Sequence, residues 1–385
     1  MKTALIIGGG PAGLMAADVL SAAGRKVVVA DAKPTVARKF LMAGKSGLNL
    51  TKDEAPEPFL AAYTEARPAI EPMLAAFGPA EVTAWAQSHG QETFTGSTGR
   101  VFPKSMKASP LLRSWLARLA TQGVDIKTRH HWVGTKDGYV FDTPDGQVTL
   151  TADCCVLACG GASWARLGSD GAWVDHVDAP VTPFQPANMG FLVDWSPHMA
   201  KHFGQPVKGV ALHAGSEKGR GEFIISAQGI EGGGIYALSR AMREGATLSV
   251  DLLPDLDVDT IRKRLAKPRG KMSQSNFLRK ALKLDPAKQA LLMEFGRPLP
   301  DDLAPLLKSL PIPHNGPRPL DQAISTAGGL QFDALTDGLM IKSHPGIFAA
   351  GEMLDWEAPT GGYLITACLA TGRWAGQHAA KYLAS

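Results

Sequence analysis

The chain opens with an apolar run, Ala4-Leu5-Ile6-Ile7, that leads directly into Gly8-Gly9-Gly10-Pro11-Ala12-Gly13. A helix-forming stretch follows, then a second apolar run, Lys26-Val27-Val28-Val29-Ala30, which ends at Asp31. This order of strand, glycine turn, helix, strand and acid is the fingerprint of a βαβ unit that holds a dinucleotide. Each glycine falls where it is needed: Gly8 for a tight turn, Gly10 for close approach of backbone to a pyrophosphate, Gly13 for packing of helix on strand. The helix start then turns unpaired N–H groups and a positive dipole end toward the phosphates. Asp31, followed by Ala32 and Lys33, stands where a carboxylate accepts hydrogen bonds from ribose hydroxyls. A G-x-G-x-x-G by itself is a weak signal, but strands, helix and acid in register make it a specific one.

At 385 residues the chain exceeds what one core usually supports, so two or three domains are expected. Hydrophobic residues at 45% and charged residues at 20% describe an ordinary globular protein. A net charge of +4 is too small for this size to make nucleic acid or an anionic membrane the principal partner. The apolar start is committed to the first strand and leaves no secretory signal, and no apolar run approaches a spanning helix. Cys154, Cys155, Cys159 and Cys368 form no Cys-x-x-Cys pair, so a reducing cytoplasm is the expected setting.

Two more glycine-ended runs lie far along the chain: Val156-Leu157-Ala158-Cys159-Gly160-Gly161, and Gly346-Ile347-Phe348-Ala349-Ala350-Gly351-Glu352. Each reads as a buried parallel strand whose glycines thin the backbone at the carboxyl edge of the sheet, where ligands bind. Three such endings on one sheet are typical of FAD-binding folds. On these motifs the chain resembles the FAD-dependent oxidoreductases of the two-dinucleotide-binding-domain type, and among them the YhiN-like bacterial flavoproteins, a group that includes aminoacetone oxidase.

The resemblance covers nearly the whole chain. Arg38-Lys39-Phe40-Leu41-Met42-Ala43-Gly44-Lys45-Ser46-Gly47-Leu48-Asn49-Leu50-Thr51 matches the family's second signature, in which a basic residue and a Gly-rich loop ending in Asn-x-Thr line the flavin. The run ending at Gly161, with Gly168-Ser169-Asp170-Gly171, matches a third; Gly351-Glu352-Met353-Leu354-Asp355 with Thr360-Gly361-Gly362-Tyr363 matches the fourth. Gly47-Leu48 replaces the Arg-Cys of many relatives, which leaves Lys45 to anchor an anion, and Leu364 replaces their Asn. The resemblance therefore implies cofactor contacts from Gly8, Gly10, Pro11, Ala12, Gly13, Asp31, Ala32, Lys33, Lys39, Ser46, Gly47, Asn49 and Thr51. Val133, Ala158, Gly160, Gly161, Gly351, Glu352, Asp355, Gly361, Gly362, Tyr363 and Leu364 complete the implied set. Asn49 and Thr51 read equally well as caps or turn residues.

Between about 189 and 320 the alternation of strand and helix stops. Val207–His213 and Gly221–Ser226 read as antiparallel strand material. Residues 259–295 read as helices and carry Arg262, Lys263, Arg264, Lys267, Arg269, Lys271, Arg279, Lys280 and Lys283 with no acid among them. A solvated helical face is the favoured reading over a nucleic-acid patch, since no aromatics interleave. The expected organisation is α/β. A discontinuous Rossmann-type FAD domain takes 1–188 and 321–385, with an insert at 189–320 that is β-rich over 189–250, mainly helical over 251–310, and covers the active site.

Gly361-Gly362 and the run Tyr363–Ala370 read as a glycine turn opening a buried helix whose dipole favours negative charge on a reduced flavin. Hydride transfer needs a donor carbon near the flavin N5 and shielding from water. Gly219-Arg220-Gly221 is no second dinucleotide fingerprint, so NAD(P)H docks transiently or the reductant is an organic substrate. Glu352 and Asp355 are candidates to orient ribityl hydroxyls or carry protons, and Tyr363 to stack, donate a proton or pack. Cys159 reads as a small buried hydrophobe, and His130-His131 as structural or surface residues; no residue is assigned as the catalytic acid or base. The expected function is an FAD-dependent oxidoreductase acting on a small molecule. The alternative is a flavin-containing, RNA-associated accessory protein whose FAD is structural.

Overall fold

The computed structural model describes residues 2–45 and 47–385, so Ser46 lies outside the described residues. The chain divides into two compact units, Met1–Pro186 with Leu320–Ser385, and Ala187–Pro319. The first is built on a five-stranded parallel sheet of Thr3–Ile7 (β1), Lys26–Asp31 (β2), Asp125–Thr128 (β3), Cys154–Leu157 (β4) and Ile347–Ala349 (β5). Its order, β5-β4-β1-β2-β3, brings the three glycine-ended strands side by side although almost two hundred residues separate β4 from β5. Ala4, Leu5, Ile6 and Ile7 are each 4% exposed or less. Successive residues point to opposite faces, so both faces of β1 are covered, which explains a continuous apolar run in place of an alternating one.

Helix Pro11–Ala22 (α1) follows β1, with Gly10 as its extended N-cap and Pro11 in its first turn, where a missing N–H costs nothing. A Cβ on Gly13 would lie 1.9 Å from the Gly8 carbonyl oxygen, so only glycine lets the helix sit this low on the strand. Through Ala12 and Ala16, α1 also packs against the 20-residue helix Tyr363–Tyr382 (α2). There a Cβ on Gly372 would lie 2.2 Å from the Ala12 carbonyl oxygen. The glycines of both helices thus fix α1 between β1 and α2.

Smaller sheets complete this unit: Thr51–Lys52 and Thr93–Thr95 flank Arg100–Pro103, His131–Leu150 forms a three-stranded meander, and Val181–Ala187 pairs with Ser325–Leu330. The second unit is a six-stranded sheet in which the described pairings are antiparallel, with helices Val258–Leu265, Gln274–Leu282 and Pro286–Phe295 following its fifth strand. Pro206–Ala214 and Glu217–Ser226 form its central hairpin, and Gly219-Arg220-Gly221 lies inside the second of these strands rather than in a phosphate loop. The 189–250 stretch also contains a helix, Gly233–Arg243, because the run Gly232-Gly233-Gly234 opens a helix instead of a turn. Among the described residues no helix is long and apolar enough to cross a membrane, and all four cysteines are free.

Candidate functional site

A groove runs along the carboxyl ends of β1, β2, β4 and β5. Its first lobe is lined by Gly8, Gly10, Pro11, Ala12, Asp31, Ala32, Ala158, Gly160 and Gly351, all expected there, so the ends of four strands converge on it. Gly8 adopts a φ of +105°, and a Cβ on it would lie 2.2 Å from the Ala158 carbonyl oxygen. A Cβ on Gly10 would meet nothing within 4 Å, so this glycine leaves the lobe open beside the start of α1. The Asp31 carboxylate accepts from the N–H of Gly9 (2.9 Å) and of Lys33 (2.8 Å), which fixes its rotamer. Burial pushes its pKa up despite these two bonds, so the charge is kept here at a cost.

The second lobe, of about 380 Å³, is bounded by Asn49, Gly361, Gly362 and Leu364 at the start of α2, and by Met42, Trp164, Ile324 and Arg100. Pro11, Lys39, Phe40, Glu352 and Cys368 line both lobes, which makes them one groove with a waist. At the waist Lys39 Nζ donates to Glu352 (2.6 Å) and to Ser163 Oγ (2.8 Å), and the other Glu352 oxygen accepts from the Thr326 N–H (3.1 Å). Arg100 carries the other cation of the second lobe, and its guanidinium makes no hydrogen bond or ion pair among the described residues. Burial pushes the thiols of Cys159 and Cys368 up to about 12, so both line the groove as inert small side chains.

Several expected residues stand outside both lobes. Gly13 packs α1 on β1, and Gly161 lies against Thr326 beneath Glu352. Lys33 lays its stem against Gly168, Gly47 lies against Met106, and Lys45 is exposed away from both lobes. Thr51 is fully buried, and its hydroxyl accepts from Thr366 directly under Gly362. The Tyr363 ring packs on Phe59 with centroids 4.9 Å apart, and its hydroxyl bonds Glu54 and Lys52, because the first turn of α2 points that side chain into the neighbouring helical layer. Asp355 accepts from Thr182 Oγ1 and lines a separate cavity with Gly328 and Trp356. Val133 lies off the groove while His130, His131 and Trp132 line its first lobe, so the two histidines read as structural or surface residues face the site. Arg38, Ser169, Trp164 and Arg100 also reach the groove; Arg38 and Ser169 stood within quoted motifs, whereas nothing local marked Trp164 or Arg100.

The groove fits a long dinucleotide. Three buried polar atoms in its walls, Arg38 Nε, Ser169 Oγ and Asn49 Oδ1, find no hydrogen-bond partner among the described residues, and such atoms are rare unless a ligand or water completes them. Two helix N-termini, those of α1 and α2, open onto its two lobes.

Comparison with known proteins agrees with this geometry. The family described as HI0933-like protein Rossmann domain matches residues 2–378. The 3-dehydro-bile acid delta(4,6)-reductase of Clostridium scindens is 28% identical over 409 residues, covering 98% of each chain. The ribosomal RNA dihydrouridine synthase of Escherichia coli is 25% identical over 382 residues, covering 94% of this chain and 93% of the relative. Among solved structures, an open-conformation flavocytochrome c3 fumarate reductase superposes with a TM-score of 0.53 at 17% identity, covering 100% of this chain and 79% of that one. That likeness is one of fold.

Proposed function

Because this chain belongs to the HI0933-like family with its Rossmann domain and is an FAD-dependent oxidoreductase, we propose that it adds hydrogen across a carbon–carbon double bond conjugated to a carbonyl. The substrate class is supported by the two relatives' names. One describes reduction of delta(4,6) bonds in a 3-dehydro bile acid and the other formation of dihydrouridine; both are hydrogen additions beside a ring carbonyl. The observation that carries the reading is the second lobe, where the unpaired Arg100 guanidinium borders apolar walls.

In this reading Gly8, Gly10, Gly160, Gly351 and the start of α1 hold the pyrophosphate of FAD, Asp31 holds its ribose, and Lys39, Asn49, Glu352 and the start of α2 hold its flavin end. Bound FAD supplies a two-electron carrier, filled by NAD(P)H as a transient donor. Arg100, exposed at the mouth of the lobe, orients the substrate carbonyl and stabilises the negative charge that develops on its oxygen. Met42, Trp164, Ile324 and Leu364 give the acceptor carbons an apolar wall, and solvent at the mouth of the lobe, where Arg100 and Ile324 are exposed, supplies the proton that accompanies the hydride. The ion pair with Glu352 holds Lys39 at the waist, and the N-terminal dipole of α2 favours negative charge at the flavin end.

Anaerobic stopped-flow of the reduced protein tests this reading. The flavin absorption band is expected to return on mixing with a cyclic enone and to stay bleached with the saturated ketone. Arg100→Met is expected to slow that return by about 100-fold, the scale of one lost oxyanion donor, with FAD content unchanged. Failure of every conjugated acceptor to restore the band sinks the proposal.

A further inference from the structure

Nine cations and no acid fall between residues 262 and 283, whereas the whole chain carries only +4, so the remaining residues sum to −5. The structure places this charge on one helix–loop–helix of the second unit. Helix Val258–Leu265 buries Ile261, helix Gln274–Leu282 buries Leu278 and Leu282, and Lys263, Lys267, Arg269, Lys271, Arg279, Lys280 and Lys283 are exposed. Arg262 is neutralised by Asp259 and Asp302. No carboxylate lies within ion-pair distance of the other eight among the described residues. Cations in the last turn of a helix complement its dipole, but Lys267, Arg269 and Lys271 lie in the connecting loop, where no dipole accounts for them. Eight like charges repel one another, and a surface serving only solubility intersperses both signs.

We propose that this helix–loop–helix docks a single-stranded polynucleotide through its phosphate backbone. This density of exposed positive charge fits a chain of regularly spaced phosphates. The one aromatic residue in the segment, Phe277, is half-buried, so no stacking platform reads the bases. A lipid surface fits less well, because none of the exposed large hydrophobic residues (Phe94, Met106, Val148, Ile324 and Tyr382) lies in the segment to enter a bilayer. The inference goes beyond the redox chemistry and does not depend on which acceptor the flavin reduces.

Fluorescence anisotropy with a labelled mixed-sequence RNA oligonucleotide, read across a salt series, tests it on the full-length protein. With six phosphates neutralised, log Kobs is expected to fall with log salt at a slope of about −4, taking about −0.7 per phosphate for single strands. Reversing the three loop charges (Lys267→Glu, Arg269→Glu, Lys271→Glu) is expected to weaken binding more than tenfold and to flatten the slope by about 2, with FAD content and thermal midpoint unchanged. Single-stranded DNA of equal length is expected to behave as RNA does, since only phosphates are contacted. Arg262→Gln is expected to leave the slope as it is. Equal affinity for the charge-reversed protein, or capture by anionic vesicles without oligonucleotide binding, overturns the proposal.

Discussion

Replacing Asp31 by Asn separates what this residue does for the ligand from what it costs the fold. The carboxylate accepts two backbone N–H groups, from Gly9 and Lys33. An amide turned either way presents its NH2 to one of them, so the variant loses about 1 kcal/mol in that bond. Against this, burial raises the Asp31 pKa above its ordinary 3.8, so ionising the carboxyl works against folding, and a neutral amide removes that cost. The net change in apoprotein stability is expected to stay within about 1 kcal/mol. Ribose hydroxyls lose a charged acceptor, worth about 1.5–3 kcal/mol, which is about 10- to 150-fold in FAD affinity.

The pH dependence follows the same sign. A carboxyl whose folded pKa lies above 3.8 gives the wild-type apoprotein a contribution that is full in acid and lost as pH rises through the raised value. Asp31→Asn removes that slope, so the variant gains on the wild type from acid to neutral pH and the difference then levels off. Denaturant melts of both apoproteins across this range, with FAD titrations at neutral pH, measure each quantity. Unchanged FAD affinity would show that Asp31 holds no ribose, and an apoprotein destabilised by more than about 3 kcal/mol would show that its charge supports the fold.

Two further outcomes are expected. Gly13→Ala places a methyl 1.9 Å from the Gly8 carbonyl oxygen while α2 blocks retreat of α1, so it is expected to cost about 2–3 kcal/mol in a denaturant melt and to lower FAD retention; an unchanged midpoint contradicts the packing described. Tyr363→Phe removes a hydroxyl held by Glu54 and Lys52 outside the groove, so a loss of about 1 kcal/mol of stability with unaltered flavin reoxidation kinetics is expected, and a change in those kinetics would place Tyr363 in the chemistry.

The parts of the site legible in sequence were those set by backbone. Gly8, Gly10, Gly13 and Asp31 lie within one βαβ unit, where turn sterics and strand length fix their places with no help from distant residues. The endings at Gly160 and Gly351 were legible because a buried parallel strand leaves a continuous apolar run in any context. Side-chain direction was the illegible part. Tyr363 and Asp355 belong to the right segments but point away, one into aromatic packing with Phe59 and the other to Thr182, partners found 304 and 173 residues away in sequence. Arg100 carried no signal because its strand is four residues long and reaches the groove only through pairing with Thr51–Lys52. His130 and His131 were read as structural or surface residues because a histidine pair after a strand carries no local mark of a residue that merely walls a nucleotide site.

Glycine-ended strands from distant parts of the chain shape one groove, and it is for a single FAD. Gly10 is the sharpest test, since it lines the groove and a Cβ there meets no protein atom within 4 Å. Calorimetric titration of FAD into the wild-type and Gly10→Val apoproteins is the decisive measurement. Saturable binding to the wild type is expected, with its loss in a variant that melts at nearly the same temperature. A wild-type apoprotein that takes up no FAD, or a Gly10→Val protein that binds it equally well, would mean that this groove is not the FAD site.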